Sequence, residues 1–265
     1  MTDSQMPNSQ INGPLLIDVD GATTTITLNR PGRRNPLGLE MMDAVIAALE
    51  NLSPETVVVV IKASGPVFSA GHDLSQVLAA EEAELEKIFE RCTVMMEKIS
   101  EIPQPVIAAV HGVATAAGCQ LVAAADLAIA AESARFATPG VRIGLFCSTP
   151  MVPISRAIGR KRALQMLLTG EMIDAQTAAD WGLVNRVVAD DELEQATKEL
   201  VDSILRYSPA VIGLGKKTFY DQIDVDQHTA YEQTKQVMVA NAQMDDAREG
   251  IGAFLEKRSP TWSGR

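Results

Sequence analysis

The alternation of apolar and polar positions divides the chain into an α/β body followed by a purely helical end. Residues 15–20 and 22–29 alternate or run β-branched, and Asp20-Gly21 between them predicts a hairpin. Leu39, Met42, Val45, Ile46 and Leu49 fall at helical spacing, so a helix is expected over 37–52. Residues 57–62 form a β-branched run, expected as a strand covered on both faces. A glycine-bearing loop, 65–74, then leads into one long acidic-faced helix expected to end near Ser100. Residues 106–110, between Pro105 and Gly112, read as a strand, and 126–131 as another. Residues 136–144 read as loop and short strand, and 145–149 as irregular. Helices are expected over 150–158, 160–168 and 174–181, with one strand at 184–188. From Asp190 onward only helical periodicity remains, over 193–207, 210–222, 229–241 and 247–257. So many apolar positions in an all-helical tail predict that it packs on another subunit.

Between the strand at 106–110 and the strand at 126–131 lies Ala116-Ala117-Gly118-Cys119-Gln120-Leu121-Val122-Ala123-Ala124-Ala125, nearly all small side chains. Small residues let a helix N-terminus, with its unpaired N–H groups, come close to a ligand. The uncharged stretch 105–125 is long enough for a membrane span, but it is built from weak hydrophobes and interrupted by His111, Gly112 and Gln120. A buried strand and helix is the better reading.

Composition narrows the class. The 265 residues carry 46% hydrophobic and 22% charged residues, ordinary for a well-packed globule. A net charge of −11 opposes a nucleic-acid surface. The cysteines Cys92, Cys119 and Cys147 show no paired spacing, and His72, His111 and His228 are far apart. No metal site is therefore expected, and the thiols are expected to be reduced, which suggests a cytoplasmic protein. Residues 1–13 are polar, without the apolar core of a targeting segment, and are expected to be a frayed tail.

Two loops carry the chemistry: Phe68-Ser69-Ala70-Gly71-His72-Asp73-Leu74 and His111-Gly112-Val113-Ala114-Thr115-Ala116-Ala117-Gly118-Cys119-Gln120-Leu121. The pair closely resembles the crotonase (enoyl-CoA hydratase/isomerase) superfamily. The resemblance continues through Leu28-Asn29-Arg30-Pro31, Arg34-Asn35-Pro36-Leu37, Ala134-Arg135-Phe136-Ala137-Thr138-Pro139, Leu168-Thr169-Gly170 and Trp181-Gly182-Leu183-Val184. It implies an α/β fold of the ClpP/crotonase type, with a ββα spiral core over 14–205 and a C-terminal helical trimerisation region over 206–265. A homotrimer or dimer of trimers is then expected, acting on an acyl-CoA thioester. No cofactor is expected beyond the coenzyme A of the substrate.

By position, the resemblance makes the backbone N–H groups of His72 and Ala117 the oxyanion donors for the thioester oxygen. Two preorganised donors suit any reaction that builds charge there, each worth about 10²–10³ in rate. The His72 ring is expected to form pocket wall, with a direct chemical role as the alternative. Arg33 and Arg34, on the turn that in the family flanks the pantetheine and phosphates, and Lys216-Lys217, on a C-terminal helix that in the family often reaches a neighbouring subunit's 3′-phosphate, would contact the coenzyme A moiety; the alternative is solvated surface cations. Ser69, Ala70, Asp73 and Leu74 would line the same loop, with Asp73 also suited to cap a helix. Cys147 would form acyl-pocket wall. A nucleophilic Cys147 would need a base, for which only His72 is available.

The chain departs from the family at the acid/base pair. The two family glutamates fall on Gln120 and Gly140. Gln120 can hold a water but cannot take its proton, and each lost acid/base group typically costs about 10²–10⁴. The resemblance therefore implies an acyl-CoA-binding protein of fatty-acid metabolism, with hydratase/isomerase (lyase) the nearest label. A non-catalytic acyl-CoA carrier and a thioester hydrolase using water held by Gln120 stand as alternatives. Glutamate placed at both positions is expected to create hydration if the geometry is intact.

Overall fold

The computed structural model describes residues 10–264. Along the chain the elements are β1 (Gln10–Asn12), β2 (Leu15–Asp20), β3 (Thr23–Leu28), α1 (Leu39–Glu50), β4 (Val58–Ala63), α2 (Leu74–Ala79), α3 (Glu82–Glu101), β5 (Val106–Val110), β6 (Val113–Thr115), α4 (Ala117–Ala124), β7 (Leu127–Ala131) and β8 (Arg135–Ala137). They continue as α5 (Met151–Ile158), α6 (Arg160–Thr169), β9 (Ile173–Asp174), α7 (Ala175–Trp181), β10 (Arg186–Val188), α8 (Leu193–Leu205), α9 (Pro209–Gln222), α10 (Gln227–Asn241) and α11 (Asp245–Glu256).

The main sheet has seven strands in the order β1-β2-β3-β4-β5-β7-β10, antiparallel from β1 to β3 and parallel thereafter. The β-branched run in β4 is explained by its two covered faces. Val59 and Ile61 join Met42, Val45 and Leu49 of α1 and Met95 and Ile99 of α3 in the main core. Val58 and Val60 face the other way, with Ile107 and Ala109 of β5, under Val201, Ile204 and Leu205 at the end of α8. A second sheet, β6-β8-β9, stands beside the start of α4.

Two expectations are corrected. Residues 10–12 are not frayed tail: they pair with β2, Ile11 opposite Leu16, while residues 1–9 of that segment lie outside the described residues. The long acidic helix is two helices, because Ala80 turns extended (φ −80°, ψ 140°) between α2 and α3. Nothing in Leu-Ala-Ala-Glu-Glu breaks a helix locally; the turn lets Val77 and Ala80 pack against the core. The second sheet consists of strands of two or three residues, too short to leave a period.

A half-buried polar lock ties the helical end to the body. Asp126 Oδ2 lies 2.6 Å from Lys216 Nζ and accepts the Val106 N–H at 2.6 Å, while Oδ1 accepts from Tyr220 Oη at 2.7 Å. Lys216 also donates to the carbonyls of Ile99 and Gln104. Burial lowers the pKa of Lys216 and raises that of Tyr220. Beyond this lock the helices leave large apolar side chains uncovered, including Tyr231, Met238, Phe254 and Leu255.

Candidate active site

Asn35 builds the first loop. It sits fully buried in the left-handed region at φ 49°, which asparagine tolerates better than most residues. Its Oδ1 accepts the Arg30 N–H at 2.8 Å, and its Nδ2 donates to the carbonyls of Ser64 and Val67 at 2.9 and 2.8 Å. Ser69 Oγ donates to the Asn35 carbonyl at 2.8 Å and accepts the Gly71 N–H at 3.2 Å. The Ser69 and Ala70 N–H groups go to Val113 and Arg34 carbonyls, and the Gly71 carbonyl accepts from Leu37 N–H at 2.8 Å. Every N–H from 69 to 71 is thus spent. The His72 N–H has no acceptor among the described residues.

The second loop reaches the same place from the other side. The Ala116 N–H donates to the Ala137 carbonyl at 2.9 Å, and Ala116 then adopts φ 50°, ψ −119°, a glycine-type conformation, just before α4. The N–H of Ala117, first in the helix, also has no acceptor among the described residues. Glycines bring the two loops together. A Cβ on Gly71 (φ +87°) would stand 3.1 Å from the Ala117 nitrogen, and one on Gly118 would stand 2.8 Å from Ser69 Cβ. Two unsatisfied amides, one at a positive helix end, therefore sit side by side.

The His72 ring turns back on its own loop. Its Nδ1 lies 3.1 Å from the Leu37 carbonyl oxygen, so Nδ1 carries the proton. Nε2 is buried without a partner, and the ring meets Phe89 of α3 edge-on at 5.4 Å. Burial lowers its pKa, only partly opposed by the bond to Leu37. Gln120 is buried, with Oε1 accepting weakly from Cys92 Sγ at 3.7 Å. Burial pushes the Cys92 and Cys119 thiols up to about 12 and raises Cys147 as well. The His72 ring and the three thiols are therefore uncharged at neutral pH, and the charged pair of the first loop is Asp73 with Arg33.

Gly140 is walled in. A Cβ there would collide with the Leu145 carbonyl oxygen and stand 2.8 Å from Cys147 Sγ. The condition attached to restoring the glutamates, an intact geometry, is not met at 140, where the Leu145 carbonyl would have to move to admit any side chain. Ser69 is a loop-building residue rather than an exposed contact, since its side chain is fully buried and bonded within the loop. Asp73 caps α2 through the Ser75 N–H at 3.1 Å and pairs with Arg33 at 2.8 Å. Arg34 is exposed, as are Ala70 and Leu74. Lys217 is exposed on α9, where it pairs with Asp221 at 2.6 Å. Two cavities of about 660 and 610 Å³ lie under α8 and are lined by none of these site residues. Among the described residues no helix is long and apolar enough to cross a membrane.

Asn35 and Ala116 were not singled out in the sequence. An asparagine between Arg34 and Pro36, where the chain must turn, is a legible signal for the first. The second leaves none, because alanine rarely adopts its conformation.

The family model described as enoyl-CoA hydratase/isomerase matches residues 19–265. The mitochondrial enoyl-CoA hydratase domain-containing protein 3 of Danio rerio is 45% identical over 254 residues, covering 94% of this chain and 87% of that protein. The crystal structure of human enoyl coenzyme A hydratase domain-containing protein 3 superposes with a TM-score of 0.91 at 45% identity, over 94% of this chain and 100% of that one. An enoyl-CoA hydratase structure from Mycobacterium smegmatis gives 0.93 at 46% identity, over 95% and 99%. The cytoplasmic location expected from the unpaired cysteines is corrected by the first of these, which is named as mitochondrial.

Proposed function

The chain belongs to the enoyl-CoA hydratase/isomerase family and has the crotonase fold, and from this premise we propose that it binds acyl-CoA thioesters and polarises their carbonyl between the amides of His72 and Ala117. The observation that carries the reading is the pair of unsatisfied N–H groups held together by the Gly71 contact. A thioester oxygen accepting both would gain negative charge as its acyl group reacts, and the α4 dipole would add to the effect.

The chemistry is not hydration by two glutamates. Gln120 has no proton to exchange at neutral pH, and Gly140 has no room for a side chain. A second reading, a non-catalytic acyl-CoA carrier, is favoured by the lack of a carboxylate at 120 and 140 and by the neutrality of the His72 ring and of the Cys92, Cys119 and Cys147 thiols. Arg34, whose carbonyl accepts the Ala70 N–H of the first loop and whose side chain is exposed, would meet the coenzyme phosphates. The uncovered apolar side chains of α10 and α11 support association with further copies of the chain, and the family resemblance makes that a homotrimer or a dimer of trimers.

Titration with an enoyl-CoA and its saturated analogue tests both readings. Binding with a red-shifted enoyl thioester absorbance supports polarisation. Loss of the conjugated absorbance identifies turnover, and its persistence identifies a carrier. No binding of any acyl-CoA sinks the reading.

A further inference from the structure

We propose that the imidazole of His72 is a positioning residue: by donating Nδ1–H to the Leu37 carbonyl it fixes the orientation of its own backbone N–H, and so sets how strongly a bound thioester is polarised. The inference rests on the acyl-CoA reading above.

The geometry is a double clasp on one residue. A trans peptide is planar, with its C=O and N–H on opposite edges. The peptide between Gly71 and His72 has its carbonyl bonded to the Leu37 N–H at 2.8 Å. That bond anchors one edge and sends the His72 N–H away from Leu37. Leu37 and His72 form an isolated parallel bridge, but only its Leu37 N–H to Gly71 carbonyl arm has full hydrogen-bond geometry, so the plane keeps freedom to rock about the O···H axis. The second bond, from Nδ1 to the Leu37 carbonyl at 3.1 Å, is made by the side chain of the residue that bears the donor, and it removes that freedom. Phe89 closes the ring's other side edge-on. Gly71 alone could not supply this stiffness, because its φ of +87° lies in a broad region for glycine.

The same contacts argue against proton transfer by the ring. Nδ1 is committed to Leu37, and Nε2 is buried with no polar neighbour. A proton placed there would be an unsolvated charge.

Substitutions at 72 separate the roles. Asparagine places an amide N–H near the position of Nδ1, glutamine places one near Nε2, and leucine supplies bulk with no donor. The full-length protein is titrated with cinnamoyl-CoA, following affinity and the carbonyl stretch of the bound thioester by difference Raman spectroscopy. The wild-type protein is expected to lower the stretch. His72→Leu is expected to bind within about threefold of wild type yet lose most of the shift, and any turnover is expected to fall roughly tenfold, the scale of one neutral hydrogen bond. His72→Asn is expected to recover the shift and His72→Gln is not. If His72→Leu polarises like wild type, or glutamine works as well as asparagine, the proposal is overturned. The asparagine–glutamine comparison decides the matter even if the leucine variant fails to fold. A wild-type protein that binds without any shift overturns the oxyanion reading instead, a distinguishable result.

Discussion

The Leu145 carbonyl oxygen occupies the space into which any side chain at Gly140 would have to grow. The Leu145 N–H closes the same loop on the Gly140 carbonyl at 3.0 Å, and Cys147 Sγ blocks the far side. The missing carboxylate is thus a property of a backbone path from Gly140 to Cys147. It is not one exchanged side chain.

Gly140→Ala is accordingly expected to destabilise the fold by about 2 kcal/mol or more, because a methyl group must displace backbone. Gln120→Glu combined with Gly140→Glu is expected to give no enoyl-CoA hydration and an even lower midpoint in urea. A stable double variant that hydrates would show that the 140–147 loop yields easily.

Ala116 carries strain that places the Ala117 N–H. At φ 50°, ψ −119° an L-residue is disfavoured by about 1–3 kcal/mol, whereas glycine is comfortable. Glycine also adds about 0.4–1 kcal/mol of unfolded-state entropy, which offsets part of the relief. The expected net change for Ala116→Gly is a gain of about 1 kcal/mol by urea denaturation, with acyl-CoA affinity unchanged. Ala116→Val should lose stability, and a valine variant as stable as wild type would contradict the assigned conformation.

The side chains of Lys216 and Asp126 pair largely out of solvent, 7% and 13% exposed, so removing one partner strands the other. Lys216→Met is expected to cost about 2–4 kcal/mol, below the range for a fully buried pair, while Lys216→Met with Asp126→Asn should cost less than the sum of the single changes. Additive losses in that double-mutant cycle would mean that the two side chains do not interact.

The body of the fold was legible where period and burial coincide. Val58, Val59, Val60 and Ile61 announced a doubly covered strand because alternate members enter different cores. The helical end was legible from its 3.6-residue spacing. Other features follow from tertiary contacts with no local signal. Ala80 breaks a run of helix formers, the second sheet pairs segments of three residues or fewer, and Gln10–Asn12 joins the sheet from a polar segment. At the candidate site the loop motifs located His72 and Ala117. What chemistry the site lacks, however, depends on Leu145, whose role is carried by its backbone oxygen and is invisible in its side chain.

Asp246 ties the chain end to the helical region, and its titration should be visible in stability. Burial alone would raise its pKa, but Ser208 Oγ, Ser263 N–H and Oγ, and Gly264 N–H all donate to it at 2.6–3.0 Å, and together they hold it at about 2 against an ordinary 3.8. The folded carboxyl therefore binds its proton less readily than the unfolded one. Its contribution is fully present above about pH 4 and fades as pH falls from there through about pH 2. Asp246→Asn should lower stability at neutral pH, with the gap from wild type closing as the medium is acidified. Trp262, whose Nε1 donates to the Arg206 carbonyl at 2.8 Å, reports release of the same segment by its fluorescence. A gap that stayed constant from neutral pH down through the acid range would show that these hydrogen bonds do not favour the ionised carboxylate.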